Sequence, residues 1–151
     1  TIGREIALLG GRFLLDTDGL IEQNMGKSVR EIFASVGEKG FRKIESQLIL
    51  WLSANVKNAV IATGGGMPIY NDVHYLGKVF WLDVGFESII KRLDSIEKKK
   101  RPLFEDMTKA QSLFNERKPI YEKQAQYVIG GSAQPTEIAK KIVSLMNERV
   151  I

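Results

Sequence analysis

The chain has 151 residues and a mass of 17.0 kDa, enough for one domain with a sizeable core, and 44% of its residues are hydrophobic. The absence of cysteine excludes a disulfide framework and thiolate metal sites, and no stretch has the uninterrupted apolar length of a membrane span. A formal charge of +4 and a pI near 9.3 favour anionic ligands, but no basic stripe is interleaved with aromatics, so nucleic acid is not an expected partner.

In chain order, residues 1–9 read as a helix, 12–15 as a strand, and 19–25, 29–36 and 38–54 as helices. Ser28 and Glu31 have the spacing of a capping box, which fixes the start of the second of these helices. A strand at 59–63, a short helix near 71–76 and a strand at 78–83 follow, then helix 86–96, a polar segment, helix 108–124, strand 126–129 and helix 135–149. Strands separated by helices imply a parallel sheet with helices on both faces. Trp51, Met67, Phe80 and Trp81 read as core or pocket wall, and the single histidine, His74, as structural or exposed.

Chemistry concentrates at the carboxyl ends of the predicted strands, where an open parallel sheet forms its ligand crevice. Phe13-Leu14-Leu15 reads as a buried strand that delivers Asp16-Thr17-Asp18. Taken alone, Asp16 is a turn former and Asp18 a helix N-cap. Arg42 and Glu45, three apart on a helix whose apolar positions are Phe41, Ile44, Leu48 and Leu52, are either a surface ion pair or an arginine held still to fork onto a carboxylate. Strand 59–63 runs into Gly64-Gly65-Gly66, and three consecutive glycines imply unusual dihedrals or main chain lying against a ligand. Arg101-Pro102-Leu103 and, further on, Glu116-Arg117-Lys118-Pro119-Ile120-Tyr121 bracket a polar stretch with the composition of a mobile cover.

In order and spacing these five segments together resemble the shikimate kinases over nearly the whole chain. The resemblance implies an α/β fold, the three-layer parallel sheet of the P-loop NTPase and nucleoside-monophosphate-kinase type, in a single kinase domain with a lid at 98–116. It also implies transfer of the γ-phosphoryl group of ATP to the 3-hydroxyl of shikimate, on the route to chorismate and the aromatic amino acids. Asp18 would align the substrate hydroxyls, and Asp16 would support Mg2+ through water. Arg42 and Arg117 would hold the shikimate carboxylate beside Gly64, Gly65 and Gly66, with Glu45 in support. Arg101 would neutralise the transferring phosphate, Pro102 would contact the nucleotide with it, and Gln134 and Pro135 would flank the adenine.

Members of that family begin with a strand and a phosphate-binding loop, GxxGxGK[ST]. Here the chain opens on Thr1-Ile2-Gly3-Arg4, which resembles the helix after that loop, and Gly26-Lys27-Ser28 is no substitute. The expectation is therefore an N-terminally truncated sequence, with four of five strands present and ATP binding weak without the loop. Two alternatives stay open: another small-molecule P-loop kinase of gluconate type, and a non-catalytic binder of shikimate-like acids. A cytoplasmic monomer is expected, with ATP and shikimate as its small-molecule partners.

Overall fold

The computed structural model describes residues 2–92 and 106–147. Helix α1 (Ile2–Leu9) leads into strand β1 (Phe13–Asp16) and helix α2 (Thr17–Met25). The Asp16 carboxylate starts α2 by accepting from the Asp18 and Gly19 amides, and Gly26 stops it in the left-handed region at φ 64°. Helix α3 (Val29–Asn55) then begins at the expected capping box: the Glu31 amide donates to Ser28 Oγ, and the Ser28 amide to Glu31 Oε2 at 2.8 Å. A kink at Gly37 (φ 70°, ψ 178°) divides α3 where the sequence reading puts a break.

Strand β2 (Ala59–Ala62), helix α4 (Met67–Tyr70), a 3₁₀ turn (His74–Leu76), strand β3 (Phe80–Asp83) and helix α5 (Phe86–Arg92) come next. The chain is then described again through helix α6 (Met107–Gln124), strand β4 (Tyr127–Gly130) and helix α7 (Pro135–Asn147). Of the short helix expected near 71–76 only the 3₁₀ turn at 74–76 forms, and α4 precedes it. Pro68 sits in the first turn of α4, where its missing N–H has no helical partner to lose. Within the stretch expected as lid, 107–116 forms the start of α6.

All four strands are parallel-paired, but as two separate pairs. Leu14 lies opposite Val60 in β1·β2, and Trp81 opposite Val128 in β3·β4. Between the pairs runs a cavity of about 650 Å³ lined by residues 58–63 and 78–82. Strand β1 is also not the buried strand its apolar run suggests: Phe13 is 86% exposed and Leu14 is exposed too, and only Leu15 is half-buried. Trp51 is likewise exposed, whereas Met67 is fully buried.

Three hydrophobic clusters organise these elements. One joins Ile6 of α1 to Ile129 of β4 and to Ile138, Ala139 and Ile142 of α7. A second gathers Ile21, Ile32 and Phe41 between α2 and the two halves of α3. The third, Ile49, Met67 and Val73, fastens the end of α3 to the segment after the glycines. Among the described residues no helix is long and apolar enough to cross a membrane.

Candidate active site

The triple glycine is a turn on which three functional side chains rest, one per residue. A methyl group on Gly64 would come within 2.7 Å of Asp18 Oδ1, and one on Gly66 within 2.6 Å of both terminal nitrogens of Arg42. At Gly65 the nearest atoms are the Tyr121 hydroxyl at 3.5 Å and Arg117 Nη1 at 4.0 Å, which is ordinary contact. None of the three has a positive φ. Of the two reasons the sequence offers for three glycines, unusual dihedrals is therefore eliminated. Close approach is the cause, and at Gly64 and Gly66 the approaching groups are the protein's own.

Helix α2, helix α3 and helix α6 thus bring Asp18, Arg42 and Arg117 to one short turn. The turn is anchored beneath by the Gly64 amide, which donates to Thr17 Oγ1 at 3.1 Å from a side chain with no solvent exposure. Thr17 lies between the two aspartates, so this one bond couples the β1 exit to the β2 exit.

Arg42 is heavily supported. Its Nη1 donates to Glu45 Oε2 at 2.8 Å, its Nη2 lies 3.4 Å from Glu38 Oε1, and the Tyr70 ring covers the guanidinium at 4.4 Å. Glu45 is 1% exposed and Arg42 only 16%, so the surface-ion-pair reading of this couple is excluded. Burial pushes the Glu45 carboxyl above its usual range, against the pull of the Arg42 charge. Asn71 Nδ2, at 3.4 Å, supplies a second donor to the same Glu45 oxygen. Even so, Arg42 Nε is buried without a hydrogen-bond partner among the described residues, and so is Arg117 Nε. Buried donors without partners are rare enough to require an account.

Asp18 is the acidic counterpart. Burial, and then the negative charges of Asp16 and Glu22, raise its pKa above the ordinary 3.8, while Arg42 opposes them. The arrangement is a raised carboxylate beside two guanidinium groups that have free donors, around a turn whose Gly65 and Gly66 amides have no hydrogen-bond partner among the described residues. Such an arrangement of charge and donors suits a small polar anion.

The sequence matches the family model described as "Shikimate kinase" over residues 1–147. The chain belongs to the shikimate kinase family. A shikimate kinase of Helicobacter hepaticus is 73% identical over 150 residues, covering 99% of this chain and 90% of the relative, and one from Clostridium botulinum is 41% identical over 129 residues, covering 82% and 75%. Among solved structures, a shikimate kinase from Acinetobacter baumannii in complex with shikimate superposes with a TM-score of 0.81 at 32% identity, over 96% of this chain and 84% of that one. One from Bacteroides thetaiotaomicron gives 0.83 at 27% identity, over 97% and 90%. The fold is accordingly the α/β P-loop kinase fold of these enzymes.

The residues expected of a shikimate kinase do not all meet. Asp18, Arg42, Glu45, Gly64, Gly65, Gly66 and Arg117 converge, whereas Arg101 and Pro102 lie outside the described residues. Gln134 and Pro135 open α7, where the Gln134 carbonyl accepts from the Glu137 and Ile138 amides, and no described contact joins them to the glycine turn. The two aspartates also exchange their local roles: Asp16 is the N-cap, and Asp18 stands in the first turn of α2, free to face the crevice. Sequence reasoning missed Thr17, Glu38, Tyr70 and Gln124. Glu38 had a signal, since it precedes Arg42 by one helical turn; the other three reach their partners only through the tertiary fold. His74 is exposed, as expected, with its Nδ1 2.8 Å from Asp72 Oδ1.

Proposed function

We propose that this member of the shikimate kinase family carries out the family's reaction, moving the γ-phosphoryl group of ATP to the 3-hydroxyl of shikimate, with Asp18, Arg42 and Arg117 as its substrate site. The observation that carries the assignment of residues is their convergence on one turn: Asp18 packs on Gly64, Arg117 Nη1 lies beside Gly65, and the Arg42 guanidinium packs on Gly66. A carboxylate lying against the Gly65–Gly66 segment would accept from its amides, and the adjacent guanidinium groups would complement its charge.

With the carboxylate fixed at the Arg42 end, the ring of the acid extends towards Asp18. The ionised Asp18 accepts from the substrate hydroxyl and so aims a lone pair of the attacking oxygen at phosphorus. As the new O–P bond forms and the bond from phosphorus to the bridging oxygen of ADP breaks, the hydroxyl proton passes to Asp18. A loose phosphoryl-transfer transition state asks mainly for alignment and charge neutralisation, which matches a carboxylate raised only by partial burial and neighbouring charge.

Mg2+ is part of this reading. Among the described residues no group of three or more acidic or histidine side chains could hold a metal ion. Asp16 Oδ1 is committed to capping α2, which leaves the other oxygen for a water-mediated contact. That fits an ion that keeps much of its hydration and takes its remaining ligands from phosphates. The roles of Arg101 and Pro102 towards the phosphates, of Gln134 and Pro135 towards adenine, and a monomeric cytoplasmic protein rest on the family resemblance alone.

The test is phosphoryl transfer by the purified natural protein with ATP and magnesium, followed by ³¹P NMR. Shikimate should yield a new phosphomonoester signal and gluconate none. A protein that phosphorylated gluconate, or neither acid, would sink the assignment.

A further inference from the structure

The face of α6 that carries Arg117 also carries Tyr121 and Gln124, one and two turns further on, and both reach across to the segment that follows β2. The Tyr121 hydroxyl donates to the Gly65 carbonyl at 2.7 Å. Gln124 makes three bonds: its Nε2 donates to the Pro68 carbonyl at 2.6 Å and the Asn71 carbonyl at 2.7 Å, and its Oε1 accepts from the Val73 amide at 3.3 Å. These four bonds span more than 50 positions of sequence, so nothing local requires them.

We propose that Tyr121 is a positioning residue for substrate recognition, setting the plane of the Gly65–Gly66 peptide and fixing Arg117 against it, with Gln124 as the second point of attachment. The carbonyl of Gly65 and the amide of Gly66 belong to one rigid planar unit and point opposite ways. Holding the carbonyl towards α6 therefore aims the Gly66 N–H away from α6, where it has no partner among the described residues. Glycine on both sides of that peptide would otherwise let it rotate through a wide range of φ and ψ. The hydroxyl removes that freedom before substrate arrives.

The same bond sets the distance between the two guanidinium groups. Arg42 rests on Gly66, and Arg117 lies one turn before Tyr121 on α6, within 4.0 Å of a methyl group built on Gly65. Tyr121 is steadied in turn by Trp81, whose ring lies 6.1 Å away. Lys118, ion-paired to Asp83 at 3.3 Å, lies 5.8 Å from the Trp81 ring. Helix α6 is thus registered against both β3 and the glycine turn, and Tyr121 is where the two attachments meet.

This inference rests on the substrate site proposed above, and its test separates the two. Tyr121→Phe deletes only the oxygen. It should raise the KM for shikimate about three- to tenfold, in keeping with the net worth of one hydrogen bond, leave the KM for ATP unchanged and alter kcat less than twofold. In the protein without substrate, the Met67 amide, which donates to the Gly64 carbonyl at 3.1 Å, should exchange its hydrogen about tenfold faster once the turn is loosened. Gln124→Leu should act in the same direction, with faster exchange extending to the Val73 amide. Unchanged Met67 exchange in Tyr121→Phe would overturn the positioning role whatever the substrate is. So would a rise in both KM values together with a lowered melting temperature, which would mark Tyr121 as merely structural. If exchange quickens while wild-type protein fails to act on shikimate, it is the substrate assignment that falls.

Discussion

Arg42 and Arg117 face the same turn with opposite kinds of support. Arg42 has two carboxylates and a tyrosine ring around it, one carboxylate fully buried, and these contacts fix its geometry. Arg117 makes no hydrogen bond or ion pair among the described residues, and what fixes it is the helix that Tyr121 and Gln124 hold in place. The contrast separates two ways of preparing a cation for an anion. One neutralises the charge in advance and sets its orientation. The other leaves it available and relies on the scaffold. The first guards against repulsion between two nearby guanidinium groups, and the second retains unspent attraction for an anion.

The largest effect should come from the acidic residue that both arginines flank. Asp18→Asn keeps the shape but removes the charge proposed to orient the hydroxyl and take its proton. We expect kcat to fall by about 10²- to 10⁴-fold with an unaltered far-UV circular dichroism spectrum. Near-normal turnover would remove Asp18 from the chemistry and leave the arginines as binding groups only.

Next come the arginines themselves. Arg42→Lys loses the planar fork and should raise the KM for shikimate about tenfold to a hundredfold, or roughly 1.5–3 kcal/mol, with ATP little affected. It should also lower the melting temperature, because Glu45 stays buried beside a poorer partner. Arg117→Lys should weaken shikimate binding while leaving thermal stability where it was. Equal losses of stability in the two variants would erase the distinction drawn between them.

The glycines sharpen the comparison further. Gly66→Ala pushes on Arg42 and Gly64→Ala on Asp18, so both should impair the free protein, with lower melting temperatures and little activity. Gly65→Ala meets only ordinary contacts and should fold normally, yet it should bind shikimate less tightly if the acid lies against that residue. Calorimetry on the three variants distinguishes the cases.

The smallest effect is in pH. With the Asp18 pKa raised, the acid limb of the kcat/KM profile should lie above the 3.8 of an ordinary aspartate, and Glu22→Gln should move it back towards 3.8 by removing one of the charges that raise it. The folded state binds this proton more tightly than the unfolded one, so the Asp18 contribution to stability is present below pH 3.8 and is lost as pH rises through the raised value. Activity and this part of stability should therefore change in opposite directions over one window.

Much of the site was legible because its parts are local. Asp16 to Asp18, Arg42 with Glu45, and the three glycines are short-range patterns whose chemistry follows from residue type and spacing. Elements marked by caps, such as Ser28 with Glu31, were legible for the same reason. What the sequence concealed depends on distant partners. Nothing around Gln124 predicts three bonds to residues 68–73, and nothing in Phe13-Leu14-Leu15 says that Phe13 stays exposed. An apolar run reports the wish to be covered, but the neighbours decide whether it is.

Among the described residues, the cluster built on Ile6, Ile129 and Ile142 shares no member with the other two, which meet each other at Leu48. Helix α6, attached to both β3 and the glycine turn, is the bridge between these regions. The α2–α3 module should be able to open while the sheet pair β3·β4 stays shut, and amides of the two regions should then report different opening free energies in native-state exchange. Shikimate held by Arg42 and Arg117 would add to the link that α6 already makes, so saturating ligand should narrow the gap between the two opening free energies.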